Sequence, residues 1–362
     1  MNLSVESFEE TQDCIILADD DTQCKCLNDS EPFFDDSITQ NLEYSSDNNI
    51  YKVYTEDDLD IKLRLNEDFI QGSYANEPEK HEETLVLKIF FNDKDTKKYN
   101  ARNIYFCEKL KHDALPEVVG YLLEKDKKHI AAILFKHCGD SLLNYILKKD
   151  APVSNDNPLG HHNENRFIEW ADQLAKVVQH MHDAKIPHRD ISPHNILIQV
   201  NNKLPHGSKL ILTDLGSARF MNTGMTRDHG KPGYMAPEEF YESGQTEYCC
   251  KVDTYSFGMV WYFAITKTQP FENLRDTFRD YKTGLGIFLH KTDWNADEIA
   301  AYKNDASIFP GKHPRPLFGE CGYTKMQKII KKCWEHDPNK RPTMNGIQKM
   351  ISKLRAAEDG QN

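Results

Sequence analysis

No stretch of this 362-residue chain comes near the roughly 18 consecutive apolar residues of a membrane-spanning helix. The longest greasy patch, residues 259–265, is far too short to cross a bilayer. The N-terminus has no basic region followed by an apolar one, and no glycine after Met1, so neither a secretory signal nor a myristoyl anchor is expected. Cysteine is scarce and scattered. Its nine positions (14, 24, 26, 107, 138, 249, 250, 321 and 333) are odd in number. The close pairs 24/26 and 249/250 do not have the two-residue gap of a zinc knuckle. Scattered thiols suit a reducing compartment, so the expected location is cytoplasmic, with nuclear as the variant. A basic excess is also missing. The net charge is −12, which argues against nucleic acid as a partner, and nothing in the chain calls for a membrane.

The negative charge is confined to one end. Of 57 acidic and 45 basic residues, 13 and one (Lys25) fall in the first 50, so the remaining 312 carry 44 of each. Residues 1–50 are rich in Asp, Glu, Ser and Asn without a sustained hydrophobic period. Such a segment cannot bury enough apolar surface to offset its ordering entropy, and a disordered acidic tail is expected. Phe33-Phe34 within it reads either as a short docking motif for a partner or as incidental aromatics. From residue 51 the texture changes. Tyr51 to Tyr54 and Ile61 to Leu65 alternate with period two, 85–90 is a stronger strand, 103–115 is expected to be helical, and 130–135 is another strand. A helix begins near Ser141. After a Pro-, Asn- and Gly-rich loop, Phe167, Trp170, Ala171, Leu174, Val177, Val178 and Met181 form one apolar stripe. Strands first and helices later predict a two-lobed α+β architecture.

Residues 188–197 read H-R-D-I-S-P-H-N-I-L, and Asp214-Leu215-Gly216 follows an apolar run at 209–213. Two carboxylates and an amide, with the second carboxylate at a strand end, suit phosphoryl transfer. In such chemistry Asp190 would orient and deprotonate the acceptor hydroxyl, while Asn195 and Asp214 would hold Mg²⁺ against nucleotide phosphates. The segment resembles the catalytic loop and D-F-G motif of eukaryotic protein kinases, with Leu215 in place of Phe. Four further stretches agree in order: Leu85-Val-Leu-Lys88 for V-A-I-K, Gly230-Lys-Pro-Gly-Tyr-Met-Ala-Pro-Glu238 for the substrate loop and A-P-E, Asp253-Thr-Tyr-Ser-Phe-Gly258, and Cys333-Trp-Glu-His-Asp-Pro-Asn-Lys-Arg-Pro342.

The resemblance implies the bilobal protein kinase fold over 51–356, with a small β-rich N-lobe, a larger helical C-lobe and a short tail at 357–362. It implies ATP and Mg²⁺ as cofactors and a protein substrate. Lys88 would bind the α/β-phosphates, with Glu108 as the carboxylate that holds it. Phe135 falls at the gatekeeper position and Cys138 in the hinge, while Val86 and Leu197 would enclose the adenine. Glu238 would pair with Arg341, and Asp253 would brace the catalytic loop from below. The glycine-rich loop lands on 70–77, where only Gly72 matches. Those residues read equally as an ordinary strand turn, and a high KM for ATP is expected if they are the loop.

Two departures occur together. Ser192 stands where serine/threonine kinases carry a catalytic-loop Lys, and Lys231 stands where they carry a substrate-loop Thr. The expectation is an exchange, with Lys231 supplying the cation beside Asp190. The alternative is loss of one group beside a coincidental lysine. Thr223 and Thr226 are candidate phosphosites for Arg189 to receive, with Asp228 as a permanent charge instead. His161-His162 reads as a solvated loop rather than a metal site, and 273–316 as an insertion for partners. The function expected is Ser/Thr protein kinase. The other reading is a pseudokinase acting as scaffold or allosteric partner, and a small-molecule kinase is disfavoured by the A-P-E segment.

Overall fold

The computed structural model describes residues 52–54, 59–64, 69–74, 84–89, 94–123, 130–148, 164–200, 207–221, 230–240, 249–271, 315–316, 318–319 and 321–359. The acidic segment 1–50 with Phe33-Phe34, the His161-His162 pair, Thr223, Thr226 and Asp228, and all but the last two residues of 273–316 lie outside the described residues. The chain divides into two compact units. Among the described residues the first holds 52–139 and 213–218, and the second holds 140–212 and 219–359.

In the first unit six strands form one sheet in the order β1-β5-β6-β4-β3-β2. They are β1 (Lys52–Tyr54), β2 (Leu59–Arg64), β3 (Phe69–Tyr74), β4 (Leu85–Ile89), β5 (Val118–Leu123) and β6 (Ile130–Lys136). Only the β1–β5 pair is parallel. Alternation along β4 sorts its residues between two faces. Leu85 and Leu87 join Ala132 and Leu134 in a buried cluster, so Val86 and Lys88 fall on the opposite face. Cross-strand register sets Val86 opposite Phe135 and Lys88 opposite Ile133, and Ile133 is opposite Tyr121 on its other side. A buried lysine on that face needs a charged partner nearby.

Helix α1 (Lys94–Lys109) packs in the same unit, with Ile104, Phe106, Cys107 and Leu110 just beyond its end buried. It starts nine residues before the expected 103–115 segment, because its first turns are polar and show no apolar period. It also ends earlier. The Ala114 N–H donates to His112 Nδ1 at 3.0 Å, which makes a local turn. Pro116 then disfavours helical geometry in the residue before it.

The second unit is mainly helical: α2 (Leu142–Leu147), α3 (Glu164–Asp183), α4 (Lys251–Thr266), α5 (Thr324–Cys333) and α6 (Met344–Asp359). Ser141 caps α2, its Oγ accepting from the Asn144 N–H at 3.2 Å. The stripe foreseen on α3 is buried, from Phe167 to Met181. Helix α4 is buried from Lys251 to Ile265. A helix buried on all sides belongs at the centre of its unit, and α5 packs directly on it. Gly258 makes that approach possible, since a Cβ there would lie 2.8 Å from Cys333 Cβ. A small antiparallel sheet completes the unit, with β7 (Asp140–Ser141), β8 (Ile196–Val200) and β9 (Ser208–Leu212). The β8–β9 hairpin pairs Ile196 with Leu212. It therefore opens one residue after Asn195 and closes two residues before Asp214. The strand-rich and helix-rich units together give the α+β class read from the sequence.

Candidate active site

In the first unit, Lys88 is 6% exposed and its Nζ donates to Asp214 Oδ1 at 2.7 Å. Strand alternation delivers the lysine to this face. Asp214 is delivered by a left-handed backbone, φ 67° and ψ 76°, capping the short turn Leu215–Ser217. Its Oδ1 also accepts from the Gly216 N–H at 3.4 Å. A non-glycine residue at positive φ persists only where its surroundings hold it. Here α1 does so. Asn103 Oδ1 accepts from the Leu215 N–H at 3.1 Å, and Arg102 Nε donates to the Gly216 carbonyl at 3.0 Å.

Glu108, expected to hold Lys88, is placed elsewhere. Its carboxylate accepts from Tyr121 Oη at 2.6 Å, and the carboxylate that meets Lys88 is Asp214. Helix geometry gives the reason. Successive residues turn by about 100°, so Asn103 and Cys107, four apart, share the inward stripe, whereas Glu108 is rotated off it. Asn103 and Cys107 touch, with Sγ 3.5 Å from Oδ1. Burial, outweighing the nearby Lys88 charge, raises the Cys107 thiol to about 12, so it stays protonated.

Gly72 is also a correction. It lies inside β3, paired with Leu85 on one side and Ile61 on the other, so it is not at the tip of a phosphate loop. The sequence of β3, Phe-Ile-Gln-Gly-Ser-Tyr, has no period-two pattern to announce a strand, and the lone glycine drew the motif onto it. Residues 65–68, between β2 and β3, and 75–77 lie outside the described residues. Val86 is half-buried beside Phe135, which is 7% exposed. Cys138 Sγ donates to the Lys136 carbonyl at 3.2 Å, and the first unit's main segment ends one residue later at Gly139.

The second unit carries a denser polar cluster. Asn195 Nδ2 donates to the Asp190 carbonyl at 2.8 Å and to Asp190 Oδ2 at 2.7 Å. With its amide hydrogens so used, the Asn195 carbonyl oxygen is the atom it offers a cation. Lys231 Nζ donates to Ser192 Oγ at 3.2 Å and lies 3.7 Å from Asp190 Oδ2. Gly230 makes this possible. At φ 120° it runs so close to the Arg189 carbonyl that a Cβ would stand 3.0 Å away. Leu197, within β8, is half-buried.

Asp253 holds the loop beneath this cluster. Its Oδ2 accepts from the His188 N–H at 2.8 Å and its Oδ1 from the Arg189 N–H at 2.8 Å, which fixes Arg189 at φ 69°. His182 Nε2 lies 2.7 Å from Oδ2. Burial pushes the Asp253 pKa up. The hydrogen bond and charge of His182, then His188 and the Arg189 N–H, outweigh it and hold the carboxyl below its ordinary range. Glu238 meets Arg341 in a two-point pair, 2.5 and 2.8 Å, with Arg341 fully buried. Sequence reasoning named Asp253, Glu238 and Arg341 but missed Asn103, Arg102 and Glu239. Asn103 had left a signal, as a polar residue in an otherwise apolar helix stripe.

Chemically, the donor set fits a hard divalent cation and a phosphate chain. Among the described residues no cluster of three or more His, Cys, Asp or Glu is placed to hold a metal. Magnesium asks for less, since one or two protein oxygens suffice when phosphates and water complete its shell. In the first unit Asp214 offers one such oxygen beside Lys88, a point charge for phosphate, and in the second Asn195 offers one beside Asp190.

Comparison with known proteins agrees with this chemistry. The family model described as protein kinase domain matches residues 74–351. A protein of Acanthamoeba polyphaga mimivirus named as a serine/threonine-protein kinase is 25% identical over 277 residues, 76% of this chain and 86% of its own length. The Drosophila melanogaster protein named as mitogen-activated protein kinase kinase kinase 7-like is 24% identical over 298 residues, 81% of this chain and 66% of its own. Human mitogen-activated protein kinase kinase kinase 7 is 26% identical over 200 residues, 54% of this chain. The match spans only 28% of that human protein.

Proposed function

The chain belongs to the protein kinase family, and from that premise we propose that it transfers the γ-phosphate of ATP to serine and threonine hydroxyls of protein substrates. The observation that carries the reading is the ammonium of Lys231 at 3.2 Å from Ser192 Oγ and 3.7 Å from Asp190 Oδ2. A chain kept only as a scaffold has no use for a cation held beside its base. In the proposed step the acceptor hydroxyl, oriented by Asp190, forms the new O–P bond. The bond from the γ-phosphorus to the bridging oxygen breaks, and ADP leaves with that electron pair. The hydroxyl proton passes to Asp190. Lys231 offsets the negative charge carried by the transferred group, and Lys88 binds the remaining phosphates. Asp214 and Asn195 would be the residues that hold magnesium, which supplies charge neutralisation when bound.

Serine/threonine specificity draws its support from the names of the distant relatives and from Tyr234 before Met-Ala-Pro-Glu. The reading carries with it a cytoplasmic or nuclear location, on the strength of scattered thiols, and a partner for the acidic N-terminal segment. A second reading, a pseudokinase, is favoured by one observation: Lys88 pairs directly with Asp214, so two groups needed for phosphate and metal neutralise each other. Labelled ATP separates the two. Wild-type protein should label itself or a generic protein substrate, and Asp214→Asn should abolish the signal. No label in the wild type, with magnesium present, would leave the scaffold reading standing.

A further inference from the structure

Two consecutive side chains of α1 grip the backbone of the Asp214 turn. Asn103, 1% exposed, takes the Leu215 N–H on its Oδ1, and Arg102, 7% exposed, gives its Nε–H to the Gly216 carbonyl. Neighbouring helix positions diverge by about 100°, so the pair straddles the turn rather than stacking on one side of it. Between them they satisfy one donor and one acceptor of a buried three-residue segment, Leu215–Ser217. An unpaired buried amide carries a desolvation cost, so these two bonds add to those that Asp214 and Ala218 make within the turn. The clamp also explains how Asp214 keeps a left-handed backbone without being glycine. The Cys107 thiol seats the clamp from behind, 3.5 Å from the same Asn103 oxygen.

Resting on the kinase reading above, we propose that Asn103 and Arg102 are positioning residues that set the Asp214 carboxylate for metal, through a neutral amide and one guanidinium rather than through a helix carboxylate. Glu108, the carboxylate on α1 that was expected to take part, is occupied by Tyr121. Lys88 consequently draws on Asp214 itself, and the helix contributes orientation without adding negative charge beside it. Loss of the clamp should therefore affect what Asp214 binds more than what Lys88 binds.

The experiment measures ATP affinity of the full chain by calorimetry, with and without Mg²⁺, alongside kcat and KM for phosphate transfer. Asn103→Ala should shrink the gain in ATP affinity on adding Mg²⁺ by about five- to tenfold, the worth of one buried hydrogen bond. Metal-free affinity should stay within about twofold, because Lys88 supplies it. Equal losses with and without metal in Asn103→Ala, or no loss at all, overturn the proposal. Should that variant fail to fold, Arg102→Ala carries the same expectation, and an unchanged magnesium gain there is equally fatal. A wild type whose ATP affinity ignores magnesium overturns both this inference and the kinase reading. A wild type that shows the gain, and loses it in the variants, yet transfers no phosphate, overturns the enzymatic reading alone.

Discussion

Replacing Lys231 with alanine removes a cation beside Asp190 without touching the Asp190–Asn195 hydrogen bonds. At 3.7 Å, two unit charges interact by about 4 kcal/mol at an effective dielectric of about 20. The Lys231 side chain is 37% exposed, so solvent screens part of that. Removing the ammonium also makes Asp190 a stronger base, which returns some of the loss. The net change in the barrier is therefore about 1.5–3 kcal/mol, or roughly ten- to hundredfold in kcat. ATP affinity should hardly move, because the nucleotide's phosphates are assigned to Lys88. The assay is initial-rate transfer of labelled phosphate over a range of ATP, with affinity measured separately by calorimetry. Lys231→Arg should keep most of the rate. A kcat unchanged in Lys231→Ala would refute the exchange of roles between Ser192 and Lys231. A fall in affinity that matched the fall in rate would show that the lysine serves ground-state binding instead.

Two predictions concern stability. Burial raises the Glu239 carboxyl from 4.5 to about 8, against the opposing charge of Arg189 and the Ala236 N–H. The folded protein thus holds a proton that the unfolded chain gives up above about pH 4.5, so stability should fall as pH rises from there toward 8, by on the order of a few kcal/mol. Glu239→Gln should flatten that fall and exceed the wild type at pH 8 while matching it near pH 5. Denaturant midpoints with parallel pH slopes would contradict the assignment. Gly258→Ala sets a methyl 2.8 Å from Cys333 Cβ, and overpacking of this kind costs about 1–3 kcal/mol. Chemical denaturation should show that cost. A neutral Gly258→Ala would mean that α4 and α5 can move apart freely.

The chemistry-bearing residues declared themselves in one dimension because their spacing is local. Asp190, Ser192 and Asn195 lie within six positions, and their meeting with Lys231 was expected only through the resemblance to the kinase substrate loop. Buried apolar elements were equally readable. The stripe on α3 is periodic, and β4 is a short, nearly continuous apolar run; both patterns follow from backbone geometry and burial. The start of α1 was not legible, since its first turns are polar and carry no apolar period. The phosphate loop was misplaced on Gly72 because one glycine carries little information about its own backbone until its strand partners are known.

What the chain determined by itself is the inventory: which carboxylates, amides and ammonium groups a phosphate-transferring protein would need, and the order in which they come. What only the folded structure decided is which of them face one another. Whether Asn103 or Glu108 points inward depends on helical phase, and phase is set by how α1 is anchored on the Asp214 turn. Five residues of helix, a net rotation of about 140°, separate the side chain that holds Leu215 from the one that reaches Tyr121. Composition and spacing do not contain that angle, because it is fixed by contacts between residues more than a hundred positions apart.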